Sequence, residues 1–371
     1  VIVVGVGGMG SATAFELARR GLSVLGLEQF DLVHDRGSSH GLTRVIRKAY
    51  YEHPSYVPLV RRAYERWYDL EQRSGKRLLT ECCCLNVGTP GSELVGGVQR
   101  SAAEHALAVE TLSAAEIRRR YPPFRFSEEY VGVLEREAGF LYVEECVRAH
   151  VDAARACGAT IYEREAVREW SSDGSTVNVR TDRGRYSAGA LVLTAGPWAG
   201  QLLRQAGKDL RVMRQVMLWF ATADDGAFRR DRFPIYLADL GGTYFYGLPV
   251  IDAHGHKVAR HYGAPELTDP AAVDREVRPD DSTAVRSFLA NYLPAVTGSV
   301  RRAQVCTYTL TPDRHFILDR HPEFANVALA AGFSGHGFKF APAVGEIMAD
   351  LVTEAKTPHA IEMFRIGRFD G

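Results

Sequence analysis

The stretch Val1-Ile2-Val3-Val4-Gly5-Val6-Gly7-Gly8-Met9-Gly10 decides the fold, together with an apolar-periodic run over residues 11–21, a second apolar run over 22–27, and Glu28. Four branched apolar residues read as a buried parallel strand, and residues 5–10 spell G-x-G-x-x-G. The run 11–21 has helical spacing and ends at Gly21. Strand, tight turn, helix, strand and acid in this order make the dinucleotide-binding pattern. Gly5, Gly7, Gly8 and Gly10 let the chain turn and approach a pyrophosphate, with Met9 between them. The helix start offers free N–H groups to the phosphates. Glu28 follows Gly10 by 18 residues, where its carboxylate can accept from a ribose 2′-OH. A carboxylate there repels a 2′-phosphate, which disfavours NADP. It does not separate NAD from FAD.

Working outward, two more segments repeat the signature of a buried strand running into a small-residue turn. One is 190–195, followed by Gly196-Pro197-Trp198; the other is 326–331, followed by Gly332-Phe333-Ser334-Gly335-His336-Gly337. Both are expected to join the first sheet, with a helix over 342–352 after the second. The runs 211–222, 243–249 and 257–262 are short and rich in aromatic or β-branched residues, which suits an antiparallel sheet. Residues 56–72 have Val60, Ala63, Tyr64, Trp67 and Leu70 on one helical face, and Gly75 follows as a stop. The expected fold is an α/β, Rossmann-like FAD- or NAD-binding domain plus an α+β substrate domain with an antiparallel sheet. The division expected is 1–88, 138–206 and 309–371 for the first, and 89–137 and 207–308 for the second.

The 371 residues suffice for two domains with sizeable cores. Lys plus Arg and Asp plus Glu are 45 each, so nothing in the charge calls for nucleic acid or an anionic membrane. No apolar run is long enough to span a bilayer, and no signal peptide precedes the strand that opens the chain. The end Arg368-Phe369-Asp370-Gly371 is not a peroxisomal address. Six cysteines in this length do not form a disulfide framework, and a cytoplasmic setting is expected. Cys82, Cys83 and Cys84 are adjacent, so on a strand they would alternate faces and serve as core; Cys146 and Cys157 fall in a helical pattern and are read as core too. His254, His256 and His261, with Asp252, are the one zinc-like spacing, but His254-Gly255-His256 reads more simply as a turn, and no metal site is expected.

Four further segments carry a family resemblance: Ser38-Ser39-His40-Gly41-Leu42-Thr43-Arg44-Val45-Ile46-Arg47, Lys257-Val258-Ala259-Arg260-His261, Val305-Cys306-Thr307-Tyr308 and Gly332-Phe333-Ser334-Gly335-His336-Gly337-Phe338-Lys339. Together they resemble monomeric sarcosine oxidase and its relatives, the N-methyltryptophan and pipecolate oxidases. The resemblance runs from residue 1 to about 364. It implies FAD held by a thioether from Cys306, and chemistry of that kind suits a thiolate. It implies that Arg47 and Lys339 grip a substrate carboxylate, where a planar fork and a point charge together fix orientation. Lys257 would assist oxygen reduction near the flavin, His261 and Tyr246 would border the substrate cavity, and Arg44 would lie close to the flavin. Ser39, His40, Thr43, Val167, Trp198, Tyr308, Gly335, Gly337 and Phe338 would join the glycine motif in holding the cofactor. Leu237 and Met217 are candidates for the cavity beyond the carboxylate grip.

The implied reaction removes a hydride equivalent from the carbon next to a secondary amine. The imine then hydrolyses, and O2 leaves as hydrogen peroxide. The start of the helix after Lys339 would stabilise negative charge at the flavin N1–C2=O edge. The substrates expected are sarcosine, another N-methyl amino acid, or a cyclic imino acid such as pipecolate or proline, and the protein is expected to be a monomer. The rival readings are an oxygen-avoiding amine or 2-hydroxy-acid dehydrogenase, a D-amino-acid oxidase, and a non-catalytic flavin-binding subunit. Lys257 counts against the first and Cys306 against the second. The intact set Arg47, Lys257 and Lys339 counts against the third.

Overall fold

The computed structural model describes residues 1–203, 209–296 and 298–369. A six-stranded sheet forms in the order Ile317–Arg320, Val327–Ala331, Leu191–Leu193, Ile2–Val4, Leu25–Leu27 and Thr160–Tyr162. All neighbours are parallel except the first pair. The three separated segments predicted to share a sheet are therefore adjacent, with Val192 between Val3 and Ala328 in register. Such strands are buried on both faces, which is why they read as unbroken apolar runs. On one face lie helices Gly8–Arg19, Val143–Ala156 and Ala341–Thr353, with Tyr56–Ser74 against them. On the other, Trp170, Val177 and Val179 from a three-stranded antiparallel sheet pack on Ile2, Val4 and Leu191.

The helix expected over 56–72 spans Tyr56–Ser74; Val60, Ala63, Tyr64, Trp67 and Leu70 are all buried, and Gly75 ends it at φ 65°. An ion-pair cluster ties the helix layer together. Glu346 meets Arg62 and Arg66, and Arg66 also meets Glu16.

A second, nine-stranded sheet runs Glu266–Leu267, Arg211–Phe220, His256–His261, Tyr244–Leu248, Ile235–Asp239, Cys84–Gly88, Val131–Glu135, Val109–Ser113, with Val300–Leu310 also paired to Arg211–Phe220. It is antiparallel apart from Cys84–Gly88 beside Ile235–Asp239. Its outer face packs on an aromatic cluster that includes Phe124, Phe233, Tyr236 and Phe288. Its inner face looks toward the first domain. A three-stranded sheet of Thr43–Ile46, Gly139–Tyr142 and Leu79–Glu81 lies between them in sequence and carries the Arg44 and Arg47 region.

The sequence division needs adjusting at one border. Cys84–Gly88 pairs within the large sheet, so residues 84–88 go with the second domain rather than the first. The border drawn at 206/207 lies outside the described residues, as do Asp370 and Gly371. Two cysteine readings also change. Cys83 is off the strand at φ 64°, so only Cys84 of the three is on a strand and fully buried, while Cys82 and Cys83 pack partly buried against the core. Cys157 caps the helix Val143–Ala156 and is exposed, whereas Cys146 is buried as read. Among the described residues, no helix is long and apolar enough to cross a membrane.

Candidate active site

A cavity of about 390 Å³ runs from the first glycine turn to the inner face of the large sheet. At the nucleotide end its wall includes Gly5, Gly7, Gly8, Met9, Glu28, Val167 and Trp198. The helix Gly8–Arg19 begins inside the motif, and Gly7 gives its start no side-chain cap. Gly10 does not line the cavity. It lies under the turn, where a Cβ would stand 1.8 Å from the Gly5 carbonyl oxygen. Glu28 accepts from Val6 N–H at 2.9 Å through one oxygen and from Phe30 N–H at 3.1 Å through the other. Ser39 Oγ accepts from Gly8 N–H at 3.0 Å, tying the Ser-His-Gly segment to the glycine turn.

Toward the middle, Thr43, Arg44, Cys306 and Tyr308 share the wall. Cys306 faces Gln215 across the strands Arg211–Phe220 and Val300–Leu310. Arg44 donates to Ser38 O at 2.8 Å and reaches Cys306 Sγ at 3.3 Å. Burial alone would push this thiol up. The Arg44 guanidinium, His40 and Lys257 together outweigh it and bring the thiol down to about 6. Cys306 is thus mainly thiolate at neutral pH, the reactive form. His40 is buried behind this wall rather than on it, with Nε2 3.2 Å from Gly37 O and Nδ1 unpartnered.

At the far end lie Arg47, Tyr246, His261 and Lys339, with Gly335 and Gly337 in the adjoining loop, while the Phe338 ring lies against the glycine turn, 2.9 Å from where a Cβ of Gly8 would be. Arg47 is 3% exposed and holds Glu52 bidentately at 2.9 and 2.8 Å. Its guanidinium lies over the rings of Tyr50 and Tyr51 at 4.3 and 4.9 Å. The Glu135 carboxylate accepts from Lys48 and Ala49 N–H at 2.6 and 3.0 Å and so pins the turn that carries Arg47. Burial works against the Glu52 charge, but Arg47, His336 and Lys339 hold its carboxyl at about 2. Lys339 donates to His336 O at 2.7 Å and to Tyr50 Oη at 3.3 Å. Burial, and Arg47 beside it, lower its ammonium to about 7. His261 Nδ1 is 3.0 Å from the Tyr308 hydroxyl, and burial holds the imidazole at about 3, so it is neutral. Gly335, at φ 83°, has the Tyr308 ring 2.5 Å from where a Cβ would be.

Lys257 shares a strand with His261 but does not reach the wall. Its ammonium donates to Gly41 O and Thr43 O at 2.7 and 2.9 Å, behind Thr43, and lies 5.0 Å from the Trp219 ring. The zinc-like histidines do not converge: His256 is buried 3.0 Å from the Tyr236 hydroxyl, while His254 meets Arg302. Leu237 and Met217 line the cavity. So do Glu52, Tyr51, Tyr244 and Gln215, which the sequence reading did not single out. Glu52 follows Arg47 by five residues in the same loop, a spacing that could have flagged it. Tyr51 and Tyr244 meet only through the tertiary fold.

The wall fits an elongated dinucleotide with a flat ring system. The uncapped helix start and Glu28 suit the pyrophosphate and ribose end. The Gln215 amide nitrogen is a buried donor without a partner in the wall, and the ring end is lined by cations and aromatic faces. FAD bound there would meet Gly7, Gly8 and Glu28 at one end and Arg44, Cys306 and Tyr308 at the other. The comparisons agree. The family model described as "FAD dependent oxidoreductase" matches residues 1–351. A monomeric sarcosine oxidase of Streptomyces avermitilis is 42% identical, over 98% of this chain and 96% of its own. An N-methyl-L-tryptophan oxidase of Yersinia pestis is 36% identical, over 100% of this chain and 99% of its own. A solved structure of NikD, described as an unusual amino acid oxidase essential for nikkomycin biosynthesis, superposes with a TM-score of 0.86 at 27% identity, covering 98% of this chain and 96% of that one. The chain therefore belongs to the FAD-dependent oxidoreductases, and within them to the sarcosine-oxidase-like, flavin-dependent amine oxidases.

Proposed function

We propose that the protein oxidises the secondary amine of a small N-methyl amino acid, sarcosine or a close analogue, to the imine with release of hydrogen peroxide. The observation that carries this is the pairing, on one cavity wall, of two buried cations beyond an activated thiol: Arg47 and Lys339 at the far end, Cys306 at the middle. The bound flavin supplies the hydride acceptor and passes two electrons to O2. Arg47 and Lys339 orient the substrate carboxylate, and Arg47 exchanges Glu52 for it. The start of the helix Ala341–Thr353, just after Lys339, favours negative charge at that end.

Three groups at this end are poor bases at neutral pH, and Lys339, lowered to about 7, is the one that changes charge there. Glu52 is held near 2 by Arg47 and its neighbours, and burial keeps the Tyr308 hydroxyl protonated and His261 neutral. The reactive form of the substrate is then its free amine, with its lone pair available. Lys257 lends positive charge to oxygen reduction. Its burial lowers its pKa strongly, and the Gly41 and Thr43 carbonyls favour the charged form.

The flavin link is proposed at Cys306. Cys306 would hold the flavin by a thioether from Sγ to the 8-methyl carbon; relative to thiol and methyl group, that bond takes the place of two hydrogens, and O2 would accept them with two electrons as hydrogen peroxide. Six free thiols are consistent with a cytoplasmic protein, and we propose that it acts as a monomer.

The test is the visible spectrum before and after acid precipitation. Yellow colour that stays with the pellet, and leaves it in Cys306→Ala, supports the link; colour in the supernatant of the wild-type protein refutes it. A screen of N-methyl and cyclic amino acids for peroxide follows, and no peroxide from any of them would sink the proposed reaction.

A further inference from the structure

Glu144 stands in the first turn of the helix Val143–Ala156, and the reaction above gives it no task. Its Oε1 accepts from Gly41 N–H at 2.7 Å, and both of its oxygens accept from Leu42 N–H at 3.1 Å. The turn it holds is a costly one. Gly41 is at φ 91° and Leu42, which has a side chain, at φ 68°. A leucine stays in that region only where its surroundings over-determine it. This same turn presents the acceptors for Lys257: Gly41 O and Thr43 O at 2.7 and 2.9 Å, and Thr43 Oγ1 at 3.3 Å. One short turn of chain thus separates a carboxylate from a buried ammonium.

A second observation is independent of that turn. Two cations, Arg44 and Lys257, are buried in this region, and Arg44 acts against the Lys257 charge. Arg302 also acts against Lys257 from the strand Val300–Leu310. On the favourable side stand Cys306 and Glu144 for both cations, with the Tyr246 and Tyr308 hydroxyls acting on Arg44. In the thioether form Cys306 no longer carries a negative charge. Glu144 then remains as the carboxylate that acts on both cations, at a helix start where negative charge is favoured.

We propose that Glu144 is a positioning residue for Lys257: it holds the 41–43 turn that carries the ammonium's acceptors, and it supplies the counter-charge that lets Lys257 and Arg44 stay charged together once Cys306 is bonded. This rests on the reading of Lys257 as the residue that assists oxygen reduction.

The experiment uses the flavin-loaded protein as wild type, Glu144→Gln, Glu144→Asp and Lys257→Met. Three quantities are read against pH: flavin reduction by substrate without oxygen, reoxidation by O2, and the spectral titration of the oxidised flavin N3 proton. Gln keeps one amide oxygen for Gly41 and Leu42 N–H and loses the charge together with the second contact to Leu42. Glu144→Gln is expected to reoxidise about tenfold more slowly above neutral pH, because the alkaline limb of reoxidation moves down by about one unit. Its reduction rate changes by less than about twofold, and its N3 proton leaves at lower pH, since its surroundings are more positive. Glu144→Asp keeps the wild-type limb. A merely structural role would slow both half-reactions together and leave both titrations in place. Glu144→Gln with an unmoved limb and wild-type reoxidation overturns the inference, as does an equal loss in Glu144→Gln and Glu144→Asp. Wild-type reoxidation in Lys257→Met would overturn the reading of Lys257 itself, a result distinct from either.

Discussion

Replacing Arg44 by Gln should turn Cys306 from a thiolate into an ordinary thiol. The guanidinium is 3.3 Å from Sγ. At that separation and an effective dielectric of about 20, Coulomb's law gives roughly 5 kcal/mol. If solvent and rearrangement cancel half, about 2.5 kcal/mol remains, or about two pK units. The thiol, at about 6 in the wild type, should then titrate at about 8. At neutral pH the thiolate fraction should fall by roughly tenfold. The assay is alkylation of Cys306 by iodoacetamide in flavin-free protein across a pH series, with the labelled peptide found by mass spectrometry. The cavity gives the reagent access to Sγ. Covalent incorporation of added FAD should slow by a similar factor. The reasoning is refuted if the midpoint in Arg44→Gln stays within a few tenths of the wild-type value, because His40 and Lys257 would then be holding the thiol down without the guanidinium.

Other consequences can be measured separately. Lys339 should appear as an ionisation near 7 in kcat/KM, with activity lost as pH rises through it, and this limb should vanish in Lys339→Met, which should also slow flavin reduction. Arg47→Met should raise KM by about a hundredfold or more, since it removes the carboxylate fork and strands Glu52 in the cavity; substrate titration of the flavin spectrum reads this directly. Gly10→Ala should yield protein without bound flavin, because the added Cβ would meet the Gly5 carbonyl at 1.8 Å; the ratio of visible to ultraviolet absorbance reports it. Glu346 is held at about 2 by His359, Arg62 and Arg66 despite its burial. A depressed carboxylate stabilises the fold above its unfolded pKa and loses that contribution as pH falls through the folded one. Glu346→Gln should therefore melt several degrees lower at neutral pH, with the gap closing between about pH 4.5 and 2 in scanning calorimetry.

The first domain was legible because its signals are local. A glycine turn, an apolar run and an acid at a fixed spacing need no knowledge of the rest of the chain. The segments before Trp198 and Phe333 repeated that grammar closely enough to be assigned to the same sheet, and they pair as assigned. The ring end was legible only through resemblance, and only as a set of residue types. How those residues are held was out of reach. Lys257 was expected near the flavin, but its ammonium is turned to two carbonyls of a turn more than 200 positions away in sequence, given by Lys257 Nζ to Gly41 O with a separation of 216. Of the carboxylates that arrange the cations, Glu135 and Glu144 look like ordinary charged residues because their partners are backbone amides far along the chain, whereas Glu52 lies five residues from its partner Arg47. Cys84–Gly88 misled for a related reason. Its parallel neighbour, Ile235–Asp239, lies far along the chain, and no local pattern names it.

The first sheet takes its strands from Ile2–Val4, Leu191–Leu193 and Val327–Ala331, side by side. During synthesis, Ile2–Val4 meets one neighbour early, Leu25–Leu27, while the partner on its other edge, Leu191–Leu193, emerges much later. That edge stays open meanwhile and has to be shielded from other chains. The ring end closes later still, when Lys339 and the helix after it emerge. Flavin capture thus waits for Lys339 and the helix after it, and products that stop short of them should be colourless.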